Sequence, residues 1–469
     1  MGKLGTAIIT TAVIAFLFGC NDRPQKEAVS AKVEKPNIIF VLTDDQRWDA
    51  LGVAGNTIIK TPNMDKLAQS GVYFKNALVT TPICAASRAT ILTGLYERTH
   101  DFNFGKPKLN NGYMLESYPY LLKKAGYRTG LIGKFGVRVN EGIEDSLFDV
   151  SIKTFWPYLR EVDGKQVHLA DINGNHAIDF IRESKDQPFC LSLSFWSPHA
   201  DDGAKEQYFW PEYVDSLYVS DHIPVPDTAD PKFFEALPEF MKKSMNRKRW
   251  YWRYDTPEKF QEMVKGYYRM ISGVDSVLGR IRATLEKEGL ADNTIIVLMG
   301  DNGYYLGERG FAGKWLMHEQ SLRVPLVIYD PRQPENLRGK TFDEMVLNLD
   351  IAPTLLDYAD VGIPESYQGK TLKGFTDGDV EDWRTSAFFE HQREGESLLP
   401  KTESFRDETY KFIRYEGAPD FIEFYNFRED VSEVHNLALD PDYAELVELY
   451  AKKCDSVIQG LMADRIVGK

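Results

Sequence analysis

Two short polar pairs carry the first sign of chemistry, because each follows an apolar run. Asp44-Asp45 comes after Asn37-Ile38-Ile39-Phe40-Val41-Leu42-Thr43, and Asp301-Asn302 comes after the run from Thr294 to Met299. One pair offers two carboxylates, the other a carboxylate and an amide oxygen. A ligand set made only of oxygen suits Ca2+ or Mg2+ better than zinc. Either pair alone reads as a turn or a helix cap. Both together, at the ends of buried strands, point to a metal. Cys84 lies just ahead of an apolar stretch that reads as a helix, and the N–H groups and dipole at such a start favour an anion. Arg88 follows one helical turn later.

The elements around these residues give the fold class. Continuous β-branched and apolar runs at 37–43, 189–195, 294–299 and 324–329 mark strands buried on both faces. Helical stretches at 66–70, 118–125 and 260–287 lie between them. Alternating strands and helices predict an α/β domain with a mostly parallel sheet between helices. Ligands of such sheets sit outside the C-terminal strand ends, where both polar pairs fall. After about residue 360 the pattern changes to strand-like pieces at 411–415 and 421–427 and a helix over 442–461. The expected organisation is a large domain over 36–360 and a smaller C-terminal α+β domain over 361–469.

Composition narrows the partners. The 469 residues are 43% hydrophobic and 27% charged, an ordinary globular balance that excludes a disordered or collagen-like chain. A net charge of -14 rules out nucleic-acid binding through a general positive field, so an anionic substrate needs a local basic pocket. Four cysteines are too few for a disulfide scaffold at this length, and Cys190 and Cys454 are expected to be inert and unpaired.

Lys3 precedes an apolar stretch from Ala7 to Phe18, too short to span a bilayer as a helix. A basic start, an apolar core and a small residue before the cut describe an export signal over 1–19. The ending Leu17-Phe18-Gly19-Cys20 resembles the bacterial lipobox, whose cysteine is lipidated and becomes the first mature residue. Residues 20–35 then read as a tether, and the expected location is the cell envelope, lipid-anchored, on the periplasmic or cell-surface side.

The run Thr81-Pro82-Ile83-Cys84-Ala85-Ala86-Ser87-Arg88, closed by Thr93-Gly94, resembles the signature of type I sulfatases of the alkaline phosphatase superfamily. Further matches are Gly126-Tyr127-Arg128-Thr129-Gly130-Leu131-Ile132-Gly133-Lys134, Ser197-Pro198-His199, and Gly300-Asp301-Asn302-Gly303 with Lys314. The resemblance implies an alkaline-phosphatase-like large domain and oxidation of Cys84 to formylglycine by a formylglycine-generating or anaerobic sulfatase-maturing enzyme. It implies Ca2+, with Mg2+ the second choice, held by Asp44, Asp45, Asp301, Asn302 and residue 84. Arg88 would hold the hydrated aldehyde, Lys134 and Lys314 would neutralise sulfate oxygens, and His199 would contact the leaving oxygen. The substrate implied is a sulfated oligo- or polysaccharide, by analogy an algal polysaccharide such as ulvan degraded by marine bacteria. The competing readings are a phosphonate or phosphodiester hydrolase on the same scaffold and a non-catalytic glycan-binding lipoprotein.

Two departures from the family pattern stand out. Gly136 occupies a position where relatives often carry a histidine, with His168 or His100 as replacements to consider. Arg309 stands in Gly307-Glu308-Arg309-Gly310, where relatives often have histidine, and is expected to add charge near the substrate. The segment 242–254 joins Lys242, Lys243, Arg247, Lys248, Arg249 and Arg253 with Trp250, Tyr251, Trp252 and Tyr254, and reads either as a contact for a polyanionic carbohydrate or as a solvated loop. His391, Arg393 and Arg406 are secondary candidates for substrate recognition.

Overall fold

The computed structural model describes residues 1–2, 35–106, 108–380, 382–393 and 399–463. The described residues from Lys35 onward form one compact unit. The expected signal segment, Cys20 and nearly all of the tether lie outside the described residues. Among the described residues, no helix is long and apolar enough to cross a membrane.

The strands in chain order are β1 (Asn37–Thr43), β2 (Val72–Leu78), β3 (Arg128–Gly133) and β4 (Val150–Lys153), then a hairpin of β5 (Leu159–Val162) and β6 (Lys165–His168). They continue with β7 (Phe189–Ser194), β8 (Thr294–Gly300), the short pair β9 (Tyr305–Leu306) and β10 (Ala312–Gly313), β11 (Leu326–Tyr329) and β12 (Lys340–Leu347). The last four are β13 (Ser386–His391), β14 (Thr402–Asp407), β15 (Tyr410–Tyr415) and β16 (Ile422–Asn426).

An eight-stranded sheet in the order β12-β2-β11-β8-β1-β7-β3-β4 forms the centre. Alternate side chains of β1 enter different cores, Ile38, Phe40 and Leu42 on one face, Ile39 and Val41 on the other. That is why its sequence is a continuous apolar run rather than an alternating one. Each such side chain, fully buried, stabilises the fold by about 1.5–3 kcal/mol. One face is covered by the helices Cys84–Thr93 and Ile351–Tyr358, the other by Leu169–Glu183 and the long helix Pro257–Lys287. All neighbours in the sheet are parallel except β11, which runs antiparallel to both β8 and β2. The connection from β8 to β11 carries the short pair β9 and β10 and the helix Glu319–Leu322.

The C-terminal part is an antiparallel sheet, β13-β14-β15-β16, with the helix Ala444–Ala463 against it. Phe388, Phe405, Phe412 and Phe424 from the sheet pack on Tyr450, Cys454 and Leu461 from the helix. Buried ion pairs tie this sheet to the first. The Lys411 ammonium donates to Glu319 at 2.9 Å, to Glu433 at 2.8 Å and to the Met317 carbonyl at 2.9 Å.

Candidate active site

The register of β1 against β8 builds the centre. Thr43 lies opposite Gly300 in that parallel pair, so both polar pairs leave the sheet side by side at its C-terminal edge. Asp45 takes a left-handed φ of 65°, which turns its backbone N–H onto the Asp301 carboxylate at 3.1 Å. The Asn302 amide nitrogen donates to Asp45 at 2.6 Å. All four residues are buried. Oxygens remain for a ligand, because Asp44 Oδ1 and Asn302 Oδ1 have no hydrogen-bond partner.

Cys84 begins the helix Cys84–Thr93 and is buried at the mouth of this cluster. Its Sγ and one oxygen each from Asp44 and Asp301 lie within 4.8 Å of one another, as do atoms of Asp44, Asp45 and His199. Buried carboxylates packed this closely beside orphaned oxygens are a fitting cage for a hard divalent cation. Asp44, Asp45 and His199 could together hold such an ion.

Arg88 reaches from the same helix into the cluster. Its Nε donates to Asp301 at 2.8 Å and its Nη1 to the Lys134 carbonyl at 2.8 Å and to Ser194 Oγ. Lys134 leaves β3 at its C-terminal end, donates to Asp44 and lies 4.5 Å from the centre of the Trp196 ring. Lys314 donates to Asp45, while Asn246 grips its backbone through bonds of 2.7 and 3.2 Å. His199 follows β7. Its Nδ1 is 2.6 Å from the Ala200 carbonyl and its Nε2 is 3.7 Å from Asp45.

The electrostatics follow from this crowding. Burial raises the Asp44 carboxyl, but Lys134, His199, Lys314 and Arg88 outweigh it and hold the group well below the usual carboxylate range. Asp301 is pushed up to about 6, by burial and then by the Asp44 charge. Burial lowers His199 against the pull of Asp45 and Asp44, which favours a neutral imidazole. Burial would lower Lys314 too, but Asp45 and Cys84 raise it, so its charge is kept.

Family models decide what this arrangement belongs to. The model described as Sulfatase matches residues 36–361. The chain belongs to the sulfatase family. It is a sulfuric ester hydrolase on an α/β scaffold. A second model, described as N-sulphoglucosamine sulphohydrolase, C-terminal, matches residues 307–459 of this sulfatase. The chain is 28% identical over 497 residues to an N-acetylglucosamine-6-O-sulfatase of Bacteroides thetaiotaomicron, covering 90% of this chain and 85% of that protein. It is 25% identical over 514 residues to an ulvan-active sulfatase of Formosa agariphila, covering 100% of this chain and 92% of that one. A solved structure in complex with its substrate D-glucosamine-2-N,6-O-disulfate superposes with a TM-score of 0.76 at 25% identity, covering 92% of this chain and 99% of that one.

The sulfatase opens to solvent through a cavity of about 1270 Å³, whose wall includes Cys84, Lys134, His199, Lys314 and Arg393. Several expected contacts are placed elsewhere. Arg309 is not near the substrate cavity: it is buried, and its Nη2 donates to the carbonyls of Ser432, at 2.9 Å, and Glu433. Arg406 is spent on Glu319 and lies over the Phe427 ring at 4.3 Å. His391 is fully buried in β13, off the cavity wall, and burial pushes it down to about 4. Neither histidine considered as a replacement at Gly136 is free to act. His168 caps the helix Leu169–Glu183 and holds the Phe209 carbonyl, and His100 binds Thr90 and the N–H of Phe102.

The basic segment is mainly scaffold. Arg247 is clamped between the rings of Phe234 and Trp250, at 3.8 and 3.9 Å, and donates to the Gly310 carbonyl. Arg253 is buried on Tyr304 and Asp202, and Arg249 also pairs with Asp202. Of this segment, Met245, Arg249 and Trp252 reach the cavity wall. Sequence reasoning missed Ser194, which holds Arg88, and Asn246, which holds Lys314, since nothing local in the sequence marks either. It also missed Trp156 and Trp196, whose rings lie 5.0 Å apart on the cavity wall. The aromatic pair Phe155-Trp156 was the available signal.

Proposed function

We propose that this sulfatase hydrolyses sulfate esters of a sulfated carbohydrate with a formylglycine made from Cys84 and a Ca2+ held by Asp44, Asp45, Asp301 and Asn302. The observation that carries the reading is the meeting of Asp44, Asp301 and Cys84 within 4.8 Å, with Lys134, Lys314 and His199 around them. Overall, an R–O–SO3 ester and water give the alcohol R–OH and sulfate. The cation and the oxidised residue 84 together supply Lewis acidity and a nucleophilic oxygen. Arg88, fixed by Asp301 and Ser194, orients residue 84 at the start of its helix. Lys134 and Lys314 stand where two ammoniums meet the charge on the non-reacting sulfate oxygens. His199 Nε2 faces the same space; with the Nδ1 proton held by the Ala200 carbonyl, Nε2 accepts a hydrogen bond in the neutral ring and would donate a proton to the leaving oxygen only from the cationic ring.

The substrate class rests on the names of relatives, among them the ulvan-active and glucosamine sulfatases, so an ulvan-like algal polysaccharide and its oligosaccharides head the trial set. Export as a lipoprotein anchored through Cys20, with maturation by a formylglycine-generating or anaerobic sulfatase-maturing enzyme, completes the reading. The lipobox-like ending at Cys20 supports the first part and the Cys84 signature the second.

Mass spectrometry of the tryptic peptide holding residue 84, after expression with a maturing enzyme, tests the nucleophile. The aldehyde mass is expected, and an unmodified thiol in active enzyme would sink it. Turnover of matched aryl sulfate, phosphate and phosphonate esters tests the reaction, and a phosphonate turned over faster than the sulfate overturns the choice of substrate.

A further inference from the structure

The cavity carries cationic charge that sulfate transfer does not use. Four of its cations are already paired: Lys134 with Asp44, Lys314 with Asp45, Arg249 with Asp202, and Lys153 with Glu144. Three others on its wall, Lys108, Arg138 and Arg393, have no carboxylate partner among the described residues. Arg138 donates to the Phe104 carbonyl at 3.0 Å and to that of Lys106, which leaves its remaining N–H groups to the cavity. Arg393 lies 5.1 Å from the centre of the Phe104 ring. Burial lowers the Arg393 guanidinium, Cys84 raises it, and the charges of Arg138 and Arg249 lower it further. Like charges facing one another in a chain of net charge -14 are a cost without an anion between them. Guanidinium forks match the two-oxygen edge of a sulfate or carboxylate.

We infer that Arg138 and Arg393, with Lys108 beside them, hold a second anionic group of the glycan, a sulfate or carboxylate on the reacting sugar or its neighbour, and so select doubly anionic substrates. The inference deepens the proposed carbohydrate sulfatase reading and rests on it for the sugar. It also moves anion recognition away from the segment 242–254, whose arginines are occupied within the protein.

Equilibrium binding to the full-length Cys84→Ala protein tests it. The ligands are glucosamine 6-sulfate, glucosamine 2-N,6-O-disulfate, and a disaccharide joining glucosamine 6-sulfate to glucuronate. At least one doubly anionic ligand is expected to bind about tenfold tighter than the single sulfate. Whether the disulfate or the uronate shows the gain tells which anion the arm takes. In Arg138→Gln/Arg393→Gln the preference falls to within about twofold, and in the paired Arg→Lys variant it is largely kept, as charge selection requires. Lys108→Gln, a change on an exposed side chain that folding tolerates, lowers the preference by about threefold. No preference in the parent, or the same preference in both Lys108→Gln and the double variant, overturns the inference. Hydrolysis of 4-nitrophenyl sulfate by matured wild-type enzyme is followed in parallel. Its absence with the preference intact fails the formylglycine reading and leaves the anion arm standing.

Discussion

Gly136 is the floor on which Arg88 rests: a Cβ built at Gly136 would lie 2.4 Å from Arg88 Cδ. The glycine also holds φ at +76°, a left-handed value that a side chain resists. Arg88 in turn spans Asp301, Ser194 and the Lys134 carbonyl. A histidine at this position would therefore displace the arginine before it could serve as a base. Gly136→His and Gly136→Ala are each expected to lower stability by about 2 kcal/mol and kcat on an aryl sulfate by more than about tenfold. Equal or faster turnover by Gly136→His would show that the arginine has room to move.

Much of the site was legible because its parts are local. Asp44-Asp45 and Asp301-Asn302 follow strands buried on both faces, and such strands write themselves as unbroken apolar runs. What a long side chain does with its far end is not local. Arg309, Arg406 and Arg247 look alike in sequence to Arg138 and Arg393, yet only the last two reach the cavity wall, and the first three end elsewhere within the protein. The fold shows the same division. The long helix Pro257–Lys287 has a clear period, and the strands β1, β7 and β8 are unbroken apolar runs. The edge strand β12 escapes because its first half, Lys340-Thr341-Phe342-Asp343-Glu344, is largely exposed and polar. The strand β13 escapes because Glu390 and His391 are buried where the pattern expects apolar residues.

Cation binding has a stability signature separate from turnover. Asp44, Asp45 and Asp301 are at most 2% exposed and crowd one another, so anything that neutralises them stabilises the native state. Ca2+ at about a hundredfold over its Kd should add about 3 kcal/mol to unfolding. Calorimetry with and without a chelator reads the shift. Asp301→Asn, which removes one carboxylate, is expected to shrink it, and an unchanged melting temperature on adding Ca2+, Mg2+ or chelator would contradict a cation at this place.

A pH effect of known sign comes from outside the metal cluster. Glu97 is buried and accepts from Asn103 at 2.6 Å, with no cation of its own, whereas its neighbour Glu390 has Arg98 at 2.9 Å. Burial, then the Glu390 charge, pushes Glu97 up to about 8 from an ordinary 4.5. The folded protein thus keeps a proton that the unfolded chain gives up. This stabilisation is complete below about pH 4.5 and is lost as pH rises through about 8. Glu97 contributes a slope of at most about 1.4 kcal/mol per pH unit in that window, and Glu390, also pushed up by burial to about 7, adds one of the same sign. Glu97→Gln should flatten it, so denaturant midpoints of wild type and variant, compared at pH 5 and pH 8, should converge or cross as pH rises. Parallel midpoints would mean that Glu97 is ionised in the fold.

Arg247 belongs to the scaffold of the segment 242–254 and not to its recognition surface. The Arg247 guanidinium sits 3.8 Å from the Phe234 ring, 3.9 Å from Trp250 and 4.6 Å from Tyr251, and its Nη1 donates to Gly310 O at 3.0 Å. Gly310 itself has φ of +68° and lies under this arginine, so the clamp fixes the turn that leads into β10 and on to Lys314. Removing it takes away stacked cation–π contacts and a charged hydrogen bond, worth together about 2 kcal/mol. Arg247→Ala should therefore lower the unfolding midpoint. Its effect on catalysis should come through Lys314 placement, as a fall in kcat with little change in KM. A rise in KM that grows with the number of sulfates on the ligand would instead assign Arg247 to the substrate, against the geometry of its clamp.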